Sequence, residues 1–463
     1  MTSRPATLPR RLSALPIVSV GLALLLGLLA TGPASARIGA PGVTATTVTQ
    51  PVTPNSLGRV LDDTFRIRLT ALTLRLDYHP DARRVSGVAE LRFRMRLGQD
   101  RALFHFNPLR QVAPGTEQRM ISSVRLDGRA VDPRALRLIR PHPTAEVAFD
   151  VPQKLSAGSE HAMRIGWDCP IPAAPRGWLY PDFDDTEGPN NETETLWPTV
   201  SSPEELVRHR IDLRVHTRER YHVIGSGIVT RRAHAAYQRW TVDTGKAISS
   251  SNVFFAAVPA RSARTSTFRA SGVPVTILTD RSAHVVATAR AITTRTVRQL
   301  IDELGPSPMP RMQILLPGWN SGMEYYGATR TGVGSLRHEL AHMYFATTAV
   351  GRTWRDTWID EAVTTWWAEG RRAKPVPLDF RSHLANDRSV VAPGFNEAAY
   401  GTGVRVMSRV ARALGGEQRM LAFLSDVYQR RAYHPFTTDQ FVGDIVAAQD
   451  TIPRATLRRW LYG

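Results

Sequence analysis

The sequence holds one cysteine in 463 residues, Cys169, so no intrachain disulfide can form. That excludes the small secreted scaffolds that disulfides hold together. Cys169, in W-D-C-P, reads as a packing residue. Lysine is almost as scarce: Lys154, Lys246 and Lys374 stand alone among 59 basic residues, and arginine supplies the rest. Acidic residues number 41, which leaves a formal net charge of +18. The arginines are scattered, and no aromatic residues interleave with them as they do on a single-strand-binding groove. The skew reads as the codon usage of a GC-rich genome, and nucleic acid is not expected as a partner. Internal repeats and low-complexity tails are missing too. Hydrophobic content of 42% and charged content of 22% are those of a globular protein long enough for two or three domains.

The chain start is different. Arg4, Arg10 and Arg11 precede an apolar run over 17–30, and Ala34-Ser35-Ala36 follows. This is the pattern of a secretory signal over 1–36, cleaved after Ala36. The run is short for a membrane span, so no stable span is expected after cleavage. Export without disulfides fits secretion or the cell envelope of a bacterium. Residues 37–64, rich in Thr, Pro, Val and Gly, read as a flexible lead-in.

From 65 to about 260 the pattern is β. Leu91, Phe93, Met95 and Leu97 alternate with charged residues, as in a half-buried strand. Asp127-Gly128 marks a tight hairpin. Short strands follow over 145–151, 162–167, 211–224, 239–242 and 253–258, with no helix-length amphipathic segment among them. This predicts an all-β domain of sandwich or saddle type. An acidic stretch over 181–194 reads as a solvated loop and lacks the spacing of an EF-hand.

Over 261–463 helices dominate. A strand at 275–278 leads to a helix over 282–304, closed by Gly305-Pro306. A short strand at 312–316 precedes the glycine-bounded segment Ser321-Gly322-Met323-Glu324-Tyr325-Tyr326-Gly327. Later helices fit 399–414, 417–432, 437–447 and 453–461. Between them lies H-E-L-A-H at 338–342, then W-I-D-E-A at 358–362. His338 and His342 are one helical turn apart on one face and can grip one zinc ion. Glu339 sits beside them, where it can take a proton from water. Glu361, with eighteen residues between it and His342, is the candidate third ligand.

The ordered set of motifs resembles the aminopeptidase N family of zinc peptidases, which includes leukotriene A hydrolase. The family carries G-x-M-E-N, then HExxH, then eighteen residues, then a glutamate in W-L-N-E-G, and later Y-x-K-G. This chain has Gly322-Met323-Glu324, His338 to His342, Trp358-Ile359-Asp360-Glu361 and Tyr400-Gly401-Thr402-Gly403. Tyr78-His79-Pro80 and Arg84-Val85-Ser86-Gly87 resemble an opening of the family's β saddle. The likeness runs from about 65 to the end, without the large helical C-terminal domain of many relatives. Tyr325, Thr402 and Ala362 depart from the family's asparagine, lysine and glycine.

The resemblance implies an α+β multidomain protein: an N-terminal all-β saddle or sandwich over 65–260, then a thermolysin-like, mainly α-helical zinc catalytic domain over 261–463. It implies a secreted zinc aminopeptidase with one zinc per chain. His338, His342 and Glu361 would hold the metal, and Glu339 would act as general base. Tyr400 would donate to the oxyanion. Glu324 would bind the free amino terminus of a peptide, and Gly322 and Met323 would line it. Glu192 or Glu194 would be the second acidic residue for the amine. The alternatives are a zinc endopeptidase or non-peptide hydrolase of the same fold, or an inactive zinc-bound interaction protein.

Overall fold

The structure is a computed structural model. It describes residues 67–96, 102–106, 120–139, 148–170, 179, 197–200, 203–317, 322–385 and 397–463. The signal segment, the lead-in, the acidic stretch, Ser321, Glu192 and Glu194 lie outside the described residues.

The β-rich half is built on a sheet of eight strands. In chain order these are β1 (Ile67–His79), β2 (Arg84–Met95), β4 (Ile121–Leu126), β5 (Arg129–Val131), β8 (Glu160–Pro170), β9 (Leu206–Val215), β11 (Ile228–Arg232) and β12 (Gln238–Ser249). They lie in the order β11-β12-β9-β1-β2-β8-β4-β5. All neighbours are antiparallel except β1 and β9. Leu91, Phe93 and Met95 are buried while Arg92 and Arg94 are exposed, as their alternation predicts. Asp127 and Gly128 both take positive φ and turn β4 into β5.

A three-stranded sheet, β3 (Leu103–His105), β6 (Arg137–Ile139) and β7 (Ala148–Asp150), belongs to the same half. So does the pair β10 (Tyr221–Gly225) and β13 (Phe255–Pro259). The stretch read as one strand over 211–224 is two, β9 and β10, parted by a turn at 216–220.

A second sheet begins at β14 (Arg264–Ala270) and continues through β15 (Val273–Thr279), β16 (Met312–Leu316), β17 (Gly322–Tyr325) and β18 (Ala328–Thr331). Its order is β14-β15-β16-β18-β17, so β17 has an edge unpaired within the sheet. β14 carries Arg264, Thr265, Ser266, Thr267 and Arg269 and has too few apolar residues to read as a strand from sequence.

Helix α1 (Ala283–Leu304) starts at Ser282, whose hydroxyl accepts the Val285 N–H, and ends at Gly305 with φ 104. Its buried face, Val286, Ala289, Thr293, Val297, Leu300 and Leu304, keeps the helical period. α1 packs on α2 (Leu336–Ala341) and on α5 (Glu417–Arg431). The remaining helices are α3 (Trp358–Thr365), α4 (Val404–Ala413), α6 (Thr438–Ala448) and α7 (Arg454–Tyr462). Each falls within a few residues of its expected place. The exceptions are Trp366–Gly370 and Glu397–Gly403, which wind as π-helix before the chain settles.

Two features set the site. Ile224, Phe254, Ala256 and Val258 of the β-rich half form one apolar cluster with Leu278, Leu315, Tyr325 and Ala328 of the second sheet. This cluster seats the β17–β18 hairpin. Asp356, in the turn before α3, accepts from the N–H and hydroxyl of Thr438 at 2.7 and 2.8 Å, and so ties the start of α3 to that of α6. No helix among the described residues is long and apolar enough to cross a membrane.

Candidate metal centre and cleft

The HELAH segment forms a short helix. Leu336 and Leu340 bury one face of α2, and His342 caps its C-terminal end. The chain then turns at once. Thr347 and Thr348 donate their hydroxyls to the carbonyls of His342 and Met343, which satisfies groups a helix end leaves open. α3 brings Glu361 across the two histidines. His338 Nε2 and His342 Nε2 stand 2.9 Å apart, and Glu361 Oε2 lies 3.3 and 3.2 Å from them. Thr364, one turn beyond Glu361, and the Phe345 carbonyl each lie 3.2 Å from His342 Nδ1.

Those three atoms form a nearly equilateral triangle. Ligand atoms 2.0–2.1 Å from a tetrahedral zinc ion stand about 3.3 Å apart, so the triangle fits one face of such a tetrahedron. Two imidazoles and a carboxylate are a donor set that zinc accepts.

Charge gives the same answer. Glu324, Glu339, Asp360 and Glu361 gather around the imidazoles. Burial, and next the Glu324 carboxylate, hold the Glu339 pKa well above the usual carboxylate range. Burial and then Glu361 do the same to Asp360. Glu324 is also raised, by burial and by Glu361, although His342 opposes the shift. Glu361 goes the other way: burial would raise it, but His342 and His338 hold it far below. Burial would depress His342, yet Glu324 and Glu361 lift it well above an ordinary histidine. Carboxylates outnumber imidazoles in the cluster, and a divalent cation would favour their ionised forms. Glu339 Oε2 is buried without a hydrogen-bond partner, the one orphaned carboxylate oxygen at the centre.

Gly322 explains how the base is housed. A Cβ built there would lie 2.0 Å from Glu339 Oε1, so a side chain at 322 and the carboxylate of Glu339 compete for one space. Gly322 pairs with Thr331 and Glu324 with Thr329 across the β17–β18 hairpin. Glu324, Glu339 and His342 have side-chain atoms within 4.8 Å of one another, which places Glu324 at the centre. Tyr325 points to the other face, is buried, and stacks on Phe254 with centroids 4.7 Å apart. The position where the family pattern has asparagine thus faces away from Glu324.

Tyr400 lies in the π-helical turn Glu397–Gly403, half-open to solvent. Its ring stacks on that of His338, centroids 5.7 Å apart and 27° between planes. The turn is pressed against α3: a Cβ at Gly403 would lie 2.7 Å from the Ala362 methyl carbon. Two of the three positions that depart from the family pattern, Ala362 and Thr402, thus fall in or beside this contact.

A cleft opens beside the centre. Met323, Glu324, Asp360 and Glu361 line it from one side, and Pro203, Ser251 and Asn252 of the β-rich half from the other. The structure therefore brings together His338, Glu339, His342, Glu361, Glu324, Gly322, Met323 and Tyr400. Sequence reasoning assigned no role to Asp360, Ser251 or Asn252. Asp360 could have been found, since it stands inside the third-ligand motif. The S-S-S-N run carries no comparable signal.

No family model matches the sequence, and no curated protein matches it. Solved structures do. The M1 zinc metallopeptidase of Deinococcus radiodurans aligns with a TM-score of 0.62 at 18% identity, covering 86% of this chain and 94% of that one. A mutant of that enzyme has been solved with a Tyr-Ser-Ala substrate bound. Yeast LTA4 hydrolase aligns at 0.64 and 14% identity, covering 86% and 68%. Legionella pneumophila aminopeptidase A aligns at 0.66 and 10% identity, covering 86% and 50%. At such identities the likeness is one of architecture: the chain has the fold of the M1 zinc metallopeptidases.

Proposed function

We propose that this chain is a zinc-dependent aminopeptidase that cleaves residues from the free amino end of peptides. The observation that carries this reading is the convergence of His338, His342 and Glu361 beside an unpartnered Glu339 oxygen and the Glu324 carboxylate. Zinc held by those three side chains would supply a Lewis acid for the scissile carbonyl and bring the pKa of water toward about 7. Glu339 takes the proton from the attacking water and passes it to the departing amine. The Tyr400 hydroxyl donates to the oxygen on which charge develops. Glu324 pairs with the substrate's α-ammonium and so fixes cleavage at the first residue. β17 offers its open edge, with the Gly322 and Met323 backbone, to an extended peptide. The peptide-bound Deinococcus neighbour supports a peptide substrate by analogy of fold. The amino-terminal signal pattern supports secretion or an envelope location in a bacterium.

The test is hydrolysis of an aminoacyl-anilide and of its N-acetylated form, each with chelator and after zinc is restored. Zinc-dependent cleavage of the free amine alone is expected. Equal cleavage of both forms would point to an endopeptidase or another hydrolase. No cleavage with zinc bound would point to an inactive interaction protein.

A further inference from the structure

One side chain of the β-rich half reaches the loop behind His342. Asn252 closes the turn Ser250–Asn252, is 8% exposed, and donates from Nδ2 to the Ala346 carbonyl at 2.9 Å. Its own carbonyl accepts the Tyr326 N–H at 2.9 Å and the Ser226 hydroxyl at 3.3 Å. The base of the turn is pinned as well, with the Ser250 hydroxyl 2.9 Å from His209 Nε2. One residue thus links the β17–β18 hairpin to the segment that follows α2.

That segment is strained. Ala346 has φ 103, in the left-handed region that favours glycine. An alanine stays there only where its surroundings over-determine it. Two contacts do so: the Ala346 N–H donates to the Ala349 carbonyl at 3.1 Å, and Asn252 holds the Ala346 carbonyl. The preceding carbonyl, that of Phe345, lies 3.2 Å from His342 Nδ1. To present Nε2 to a metal, His342 carries its proton on Nδ1 and donates it there. Rotation about Ala346 would swing the Phe345 carbonyl, and Nδ1 would lose one of its two partners, keeping only the Thr364 hydroxyl.

We propose that Asn252 is a positioning residue for the metal centre: by clamping Ala346 it keeps the Phe345 carbonyl in line with His342, so that the β-rich half sets zinc affinity. This rests on reading His338, His342 and Glu361 as a zinc site. It predicts that zinc affinity and interface strength are separable.

The experiment measures the zinc dissociation constant of the full chain by competition with a chromogenic chelator. Asn252→Ala should weaken zinc binding about tenfold or more. Gln313→Leu is the control. It removes a buried contact between the two halves, Gln313 Nε2 to the Gly227 carbonyl at 3.2 Å, without touching the loop, and should leave zinc affinity unchanged. Adding Ala346→Gly to Asn252→Ala should restore much of the affinity, because glycine holds a positive φ without strain. If Asn252→Ala does not fold, Asn252→Ser carries the same test, since its hydroxyl is too short to reach the carbonyl. Unchanged affinity in the Asn252 variant, an equal loss in Gln313→Leu, or no recovery with glycine would each overturn the clamp. A wild-type chain that takes up no zinc would sink the zinc-site reading and the clamp with it. Tight wild-type binding with an unmoved Asn252→Ala value sinks the clamp alone.

Discussion

His209 in the β-rich half and His342 in the helical half are equally sealed from solvent, at 0% and 1% exposure. Their chemistry diverges. His209 meets one hydroxyl, that of Ser250, and burial pushes its pKa down to about 3, only partly opposed by a backbone bond to Val207. His342 suffers the same burial, yet Glu324 and Glu361 drive it upward. Burial therefore does not mark a histidine as functional. The count of carboxylates around it does, because an excess of them leaves a place for a cation. Asp243 and Glu303 make the same point from the acidic side. Each faces arginine, Arg208 and Arg371 respectively, is held below the usual carboxylate range, and is a structural partner.

The contrast can be broken experimentally. The largest effect is expected at the orphaned oxygen. Glu339→Gln should retain zinc, measured by metal analysis, and lose kcat by roughly ten-thousandfold. Undiminished turnover would remove the distinction between a catalytic and a merely buried carboxylate. Tyr400→Phe should lower kcat by about a hundred- to a thousandfold with little change in KM, because its contact forms with the developing charge. A change in KM alone would return the ring to a packing partner of His338. Gly322→Ala should cost about a hundredfold in kcat with zinc content intact, since the added methyl displaces Glu339 from its place. Full activity in that variant would mean that the base has slack.

The smallest effect on turnover belongs to the structural histidine, whose readout is stability. Between pH 6.5 and about 3 the unfolded chain takes up a proton at position 209 that the folded chain refuses. Stability from this group is whole above pH 6.5 and is lost as pH falls through that window, by about 4 kcal/mol at its lower end. His209→Gln, which keeps a hydrogen-bonding partner for Ser250, should flatten the dependence of the urea midpoint on pH. An unaltered slope would show that His209 does not set the acid sensitivity.

The candidate metal centre, as a cluster of two histidines and a glutamate, was readable in the sequence because its logic is local. Four-residue spacing stacks His338 and His342, and a second apolar stripe from Trp358 to Trp367 announces the helix that returns Glu361. The β-rich half was readable from alternation in strands such as β2, and the helices from period and caps. β14 was not, because only Phe268 and Ala270 are apolar and its alternation spans too few residues to stand out. The role of Gly322 as space for Glu339 was hidden for another reason. It depends on how closely a strand approaches a helix that begins fourteen residues later. Asn252 was hidden likewise, since its partner Ala346 is 94 residues away and is an alanine with no chemistry of its own.

The near-touching backbones at Gly403 and Ala362 have a mechanical result. The hydroxyl at 400 and the carboxylate at 361 hang from two coils spaced by a single methyl carbon, that of Ala362. Any larger residue at 403 would wedge the coils apart and pull the ring at 400 off the imidazole it stacks on.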